Sequence, residues 1–369
     1  MKCYIATFYQ YDNYGTRLQN YAMCKVIEKL GGTPITIVID NKKEKYIRLI
    51  KDLFSYLPIV NYRQRIWLNN RKKSSVFQSF NKELCFQTMS YDELHNIDFK
   101  DSIAIAGSDQ IWSPMHLVDK KQETELYFLR FAPEKKRYSY APSFGVETIP
   151  SEMKQMYSKY ISDFEQISVR ESAGQSIIYN LTNLDALLLP DPVFLLSREE
   201  WKMAISYSKS IIPNKSYIVT YFLSNQSDAM WSRIKEYANK RNTKIINIAG
   251  NNFNNGDVIP SPDGFVSLID GAQAVFTDSF HGSVFSIIMQ TPFLVFKRKD
   301  VNQFSRIDML LHKYELTSAF IDNEEQNDYD MILKKVVMNT GKIIEDEKNK
   351  GVNYLKNIIQ INKKSQSER

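Results

Sequence analysis

The first forty residues run apolar segment, polar loop, helical stretch, apolar segment, and this order constrains the fold more than any other feature of the chain. Residues 4–8 read as a strand, about 17–30 as a helix stopped by Gly31-Gly32, and 35–39 as a second strand. Such a strand–helix–strand opening is the unit of a parallel sheet. Apolar runs at 103–106, 137–141 and 167–169 each end in small or polar residues, as expected of strands whose C-terminal ends carry a site. A second series follows Pro213, with strands at 217–222, 244–248, 275–277 and 293–296 and helices near 227–240 and 279–289.

The expected fold is therefore α/β, with two Rossmann-like domains facing each other across a cleft. Leu189-Pro190-Asp191-Pro192 and the stretch 208–215 favour extended chain and place the junction. The expected boundaries are 1–207, 208–330 and a C-terminal helical segment 331–369, frayed from 363 onward.

With 369 residues, 43% hydrophobic and 24% charged, the chain exceeds one average domain and is too apolar for disorder. The 21 Phe, 22 Tyr and 4 Trp must include much packing surface, and 13 Gly is too few for a collagenous or linker-rich protein. Cys3, Cys24 and Cys85 form no ligand cluster, and the four histidines supply no metal pattern, so the reading is a reducing compartment and no metal. The apolar run 3–8 is broken by Gln10, Asp12 and Asn13 before a signal-peptide core forms, and no apolar stretch approaches the roughly 18 to 20 residues of a spanning helix. A soluble, cytoplasmic protein is expected.

The net charge of +6 is local, because residues 42–73 hold ten basic residues against Glu44 and Asp52 and leave the rest slightly acidic. This marks one patch and argues against a nucleic-acid-binding protein. Within it Tyr46, Leu49, Ile50, Leu53, Phe54 and Leu57 share one helical face, with Lys45, Arg48 and Lys51 off that face. Such a helix either packs on its own domain or lies on an anionic membrane surface.

Five segments hold the candidate chemistry. Ser279 is placed to cap the helix after strand 275–277, with His281 and Gly282 in its first turn, where unpaired amides favour an anion and an imidazole can exchange protons. Gly107-Ser108-Asp109-Gln110-Ile111-Trp112 follows another strand and offers Asp109 as acid, base or hydroxyl acceptor and Trp112 as a ring to stack on a sugar. Asn13-Tyr14-Gly15-Thr16-Arg17 joins the first strand to the first helix and could hold a phosphate or carboxylate, although it lacks dinucleotide and phosphate-loop spacing. Arg170 and the pair Lys297-Arg298 end further strands as candidate anion clamps. Each segment also has a plain structural reading as turn, cap or solvated charge. Asp328-Tyr329-Asp330 reads as acidic helix-start residues and not as a metal motif.

Taken together, Asn13-Tyr14-Gly15 with Leu18-Gln19, Gly107 to Trp112, Tyr140-Ala141-Pro142-Ser143-Phe144-Gly145, Ser168-Val169-Arg170-Glu171, Asp191-Pro192, and Thr277 to Gly282 with Thr291-Pro292 resemble the polysaccharide pyruvyl transferase family. They run in family order over roughly residues 4–310. The resemblance implies a fold similar to the two-domain GT-B glycosyltransferases, and transfer of a pyruvyl group from phosphoenolpyruvate to two hydroxyls of a sugar as a cyclic ketal. It implies an acceptor in a bacterial surface polysaccharide such as exopolysaccharide or capsule, or its polyprenyl-diphosphate-linked precursor. No cofactor is implied beyond phosphoenolpyruvate as donor. The acceptor is expected on the N-terminal domain and phosphoenolpyruvate on the C-terminal one. Many members have Arg-Leu-His where this chain has Ser279-Phe280-His281, so the histidine carries over and the anion-binding arginine does not. Arg170, Arg17, Lys297 and Arg298 are the candidates to replace it.

The implied reaction needs a proton donor, a base for the hydroxyls and cations for phosphate and carboxylate. His281 is expected as acid/base, Asp109 as the group orienting or deprotonating the acceptor, and Arg170 with the helix start at Ser279 as the anion site. Two alternatives share the architecture: a glycosyltransferase using a nucleotide sugar, and a non-catalytic glycan-binding protein of the same pathway. Location on the inner face of the cell membrane would follow from residues 42–73.

Overall fold

The computed structural model describes residues 1–9, 12–40, 62–204, 214–250, 257–298, 304–322, 328–336 and 338–367. The expected interfacial helix between Tyr46 and Leu57, and most of the basic segment 42–73, lie outside them.

Near-continuous apolar strands can be stable only where both sheet faces are covered, as helical crossovers allow. The first sheet follows this rule with β1 (Lys2–Ala6), β2 (Thr33–Ile39), β3 (Phe86–Met89), β4 (Ser102–Ala106) and β5 (Arg137–Ser139), all parallel in the order β3-β2-β1-β4-β5. The helix Tyr14–Lys29 makes the first crossover, and the Asn13 side chain caps it by accepting from Thr16 N at 3.4 Å. A short parallel pair, β6 (Ser168–Val169) and β7 (Leu187–Leu188), follows.

The second sheet contains β8 (Tyr217–Tyr221), β9 (Lys244–Ile248), β10 (Val275–Thr277), β11 (Phe293–Phe296) and β12 (Phe320–Ile321), again all parallel, in the order β12-β11-β10-β8-β9. Both sheets are Rossmann-like, and the protein is α/β. Each has one point at which the winding direction reverses, between β1 and β4 in the first and between β8 and β10 in the second. Ligands of open parallel sheets bind outside the C-terminal strand ends at such points.

The described residues fall into two compact units, the first drawn from 1–65, 81–196 and 347–369 and the second from 66–80 and 197–346. The change comes at 196/197, ahead of the 207/208 boundary read from the prolines. The helix Arg198–Ala204 already belongs to the second unit, where Trp201 packs edge-on against Phe285 with ring centroids 5.1 Å apart. The last helix, Gly341–Ser367, is not a separate segment: from Glu347 onward it belongs to the first unit. Tyr354 donates to Ser139 O at 2.8 Å and Asn362 to Tyr138 Oη at 2.8 Å. Lys363, expected in a frayed tail, lies within this helix and donates to Gly31 O at 3.1 Å.

Candidate functional site

In the first unit, hydrogen bonds tie the loop after β1 to the loop after β4 across the reversal point. Thr7 Oγ1 donates to Ser108 O at 3.0 Å and receives a bond from Gln19 Nε2 at 3.2 Å. Thr16 Oγ1 donates to Asp109 Oδ2 at 2.7 Å, while Gln110 N donates to Asp109 Oδ1 at 2.9 Å. Ser108 Oγ donates to Ala141 O at 2.6 Å, and Ser143 N to Asp109 O at 2.8 Å. Asp109 has φ +73° and Ala141 φ +46°, left-handed conformations that side-chain-bearing residues adopt only when their surroundings hold them there. The backbone is thus used to aim a half-buried carboxylate.

His116, which sequence reasoning missed, stands on the short helix Pro114–Leu117. Its ring lies edge-on to Phe8 with centroids 5.2 Å apart. Burial lowers its pKa below the usual histidine value, and the negative charge of Asp109 opposes that shift. A histidine four residues beyond a loop motif, in a helix led by Pro114, was the available signal.

Trp112 does not face a ligand. It is fully buried, stacks on Phe128 at 5.4 Å, donates from Nε1 to Tyr127 O at 3.1 Å, and accepts on its carbonyl from Tyr157 Oη at 2.8 Å. An indole satisfied on all sides is core, so the sugar-stacking expectation is corrected. Tyr14 and Gly15 are likewise buried in the first helical turn.

Arg170 is also reassigned. Its guanidinium is buried, with Nη1 2.6 Å from Asp191 Oδ2 and Nε 3.9 Å from Glu171 Oε2. Burial works against its charge, but Asp191, Glu171 and Asp109 outweigh that effect and raise its pKa. A cation already matched by two buried carboxylates has little charge left for a substrate. Arg17 is equally buried but faces one carboxylate where Arg170 faces two: it lies 3.6 Å from Asp12 and 5.6 Å over the Phe86 ring, and its Nε and Nη1 find no hydrogen-bond partner among the described residues. Burial lowers its pKa against the pull of Asp12. A buried, under-compensated guanidinium is stabilised by an added anion.

The reversal point of the second unit has a parallel construction. Asp278, wholly buried after β10, accepts from Leu223 N at 2.7 Å, Ser224 N at 3.0 Å, Ser224 Oγ, and Gln226 Nε2 at 3.2 Å, which fixes the loop after β8. Burial raises the Asp278 pKa against these bonds and the charge of Arg298, whose Nε is 4.0 Å away. Ser279 caps the helix Phe280–Met289, its side chain accepting from Gly282 N at 3.3 Å. Thr277 Oγ1 donates to Tyr221 O at 2.6 Å and accepts from Ser279 N at 3.0 Å. A Cβ on Gly282 would fall 2.5 Å from that same oxygen, so only glycine lets the helix start close down on β10.

His281 follows in this first turn, half-buried and edge-on to Phe280 at 5.3 Å. Arg298 is partly exposed and Lys297 exposed, both just past β11. The structure therefore gathers Ser108 and Asp109 with the Asn13–Arg17 segment in one unit, and Ser279, Gly282 and Arg298 around Asp278 in the other. Asp328 caps the helix Tyr329–Lys335 by accepting from Asp330 N at 2.9 Å, and Asp330 pairs with Lys334 at 3.1 Å. Among the described residues no cluster of three His, Cys, Asp or Glu could hold a metal ion, and no helix is long and apolar enough to cross a membrane.

Two doubly wound parallel sheets with polar loops at both reversal points define the class of fold. Residues 13–300 match the polysaccharide pyruvyl transferase family, and the chain belongs to that family. Among solved structures, it is similar to the UDP-GlcNAc 2-epimerase of Neisseria meningitidis, with 10% identity, 100% of this chain and 99% of that chain covered, and a TM-score of 0.46. It is also similar to the wall teichoic acid polymerase TagF, with 10% identity, 100% and 90% covered, and a TM-score of 0.49. A third is the Escherichia coli ADP-heptose lipopolysaccharide heptosyltransferase II, with 9% identity, 96% and 98% covered, and a TM-score of 0.38. No curated protein matches the chain.

Proposed function

We propose that the protein transfers the pyruvyl group of phosphoenolpyruvate to two hydroxyls of a sugar in a surface polysaccharide or its lipid-linked precursor. Family membership over residues 13–300 is the observation that carries this reading. Protonation of the methylene carbon leaves positive character on the adjacent carbon. One sugar hydroxyl attacks that carbon, phosphate departs, and the second hydroxyl closes the ketal. Of the two hydroxyl protons, one balances the proton delivered to the methylene and the other leaves with phosphate.

His281, in the capped first turn, serves as the acid/base. The helix N-terminus favours anions, and Arg298 and Lys297 follow the adjacent strand β11. Asp109, aimed by the Thr16 bond, orients or deprotonates the acceptor hydroxyl. Arg17 takes over the role of anion cation that Arg170 cannot fill, because the Arg170 charge is already matched. Membrane association through residues 42–73 belongs to the same proposal on sequence charge alone, and its test is co-sedimentation, with binding to anionic but not zwitterionic vesicles expected and no binding at low salt overturning it.

A thermal-shift comparison tests the donor. Stabilisation by phosphoenolpyruvate and not by nucleotide sugars supports pyruvyl transfer, whereas the reverse result identifies a glycosyltransferase. Saccharide binding without release of phosphate from phosphoenolpyruvate would leave only a glycan-binding protein.

A further inference from the structure

Beside the Asp109 loop, a cavity of about 230 Å³ opens at the C-terminal ends of three neighbouring strands of the first sheet. Tyr9 follows β1, Asp40 follows β2 and Tyr91 follows β3, while Gln122 and Glu123 close it from the helix Lys121–Tyr127. Ile39 and Leu126 supply an apolar floor. Phe8 links this cavity to the candidate site, since its ring is edge-on both to Tyr127, which lines the cavity, at 5.5 Å and to His116 at 5.2 Å.

The lining has an unusual chemical balance. Two carboxylates, three tyrosines and an amide line a space smaller than an ordinary drug-sized pocket, and no lysine or arginine is among the described residues that line it. The side chains of Asp40, Tyr91, Gln122 and Glu123 make no hydrogen bond to any described residue. The Tyr91 phenol is kept protonated by burial and by Glu123 and Tyr9, which raise its pKa, so it remains a donor. Carboxylates accept from vicinal hydroxyls or an ammonium, the phenol and amide donate to ring and hydroxyl oxygens, and the apolar floor suits the C–H face of a pyranose.

We infer that this cavity is the subsite for one non-acidic pyranose of the acceptor, neutral or amino-bearing, and that Asp40 and Glu123 exclude uronic acids. The inference rests on the pyruvyl-transfer reading for its word "acceptor" but makes its own demand on the sign of the sugar's charge. A uronate carboxylate placed here would meet two like charges, with no cation among the described lining residues to offset them.

The test measures binding of methyl glucoside, methyl galactoside, methyl glucosaminide and methyl glucuronide to the full chain by calorimetry or saturation-transfer NMR, with phosphoenolpyruvate binding measured in parallel. The neutral or amino glycosides should bind at least about tenfold more tightly than the glucuronide. Tyr91→Phe should weaken the favoured glycoside by about tenfold, the scale of one lost hydrogen bond to a carboxylate-polarised site. Asp40→Asn with Glu123→Gln, near-isosteric changes that preserve shape, should erase discrimination against the glucuronide. Phosphoenolpyruvate binding should stay at the wild-type level throughout. Absence of glycoside binding, preference for the glucuronide, or affinities unmoved by these variants overturns the subsite. Glycoside selectivity as stated in a protein that fails to bind phosphoenolpyruvate overturns the donor reading instead and leaves the subsite standing.

Discussion

Thr16 Oγ1 donates to Asp109 Oδ2 at 2.7 Å, fastening the start of the first helix to the loop after β4 at the point where the first sheet reverses its winding. Asp278 does the equivalent in the second unit through Leu223 and Ser224. In each unit an aspartate just past a strand adjoining the reversal point locks the loop of the neighbouring strand. In the second unit that carboxylate serves the scaffold, whereas Asp109 stays partly exposed.

Asp109→Asn should therefore leave the fold intact and lower turnover by about 10²–10⁴-fold, the usual contribution of a general acid or base. Thr16→Val keeps the carboxylate but frees its direction. It should lower kcat/KM for the acceptor and leave phosphoenolpyruvate affinity unchanged. Steady-state phosphate release with each substrate varied in turn checks both.

Arg170→Ala should act on stability. It leaves Asp191 and Glu171 as uncompensated buried carboxylates, and removing one partner of a buried ion pair costs about 3–5 kcal/mol. The urea midpoint should fall sharply. A selective rise in KM for phosphoenolpyruvate with an unchanged midpoint would restore Arg170 to the anion site.

Gly282→Ala drives a methyl to 2.5 Å from Thr277 Oγ1 at a buried position of the turn and should destabilise the second unit by about 1–3 kcal/mol. His281→Ala, one residue earlier and half exposed, should leave the melting temperature unchanged. The contrast separates the scaffold of the turn from its chemistry and is read by thermal melts of the two variants side by side.

The pKa of His116 is lowered by burial, so the native state favours the neutral ring. The stability this contributes is complete above 6.5, the unfolded value, and is lost as pH falls from there through the native pKa. His116→Gln should flatten that part of the stability curve. Denaturant midpoints measured from pH 7 down to pH 5 check it, and an identical acid limb in the variant would contradict it.

Much of this was legible in the sequence because parallel strands buried on both faces write themselves as apolar runs. The strand 244–248 and the capping role of Ser279 are where the pattern placed them. Strands β3, β7 and β12 were not: Phe86–Met89 alternates weakly, and Leu187–Leu188 and Phe320–Ile321 are only two residues long. Side-chain roles were harder still. Nothing in Gly107 to Trp112 distinguishes an aspartate aimed outward from a tryptophan folded inward, because that choice is made by Phe128 and Tyr157, remote in sequence. Arg170 looked like an open clamp because Asp191, its partner, is 21 residues away. His116 lay outside every motif and enters the site only through the packing of Phe8.

The central claim is that this chain places a pyruvyl ketal on a surface glycan. Mass spectrometry of glycan from a deletion strain tests it most directly. The account predicts loss of the ketal-linked pyruvyl mass, restored by the wild-type gene and not by the His281→Ala or Asp109→Asn variants. A glycan that keeps its pyruvyl content in the deletion strain, or loses a whole sugar residue instead, would contradict it.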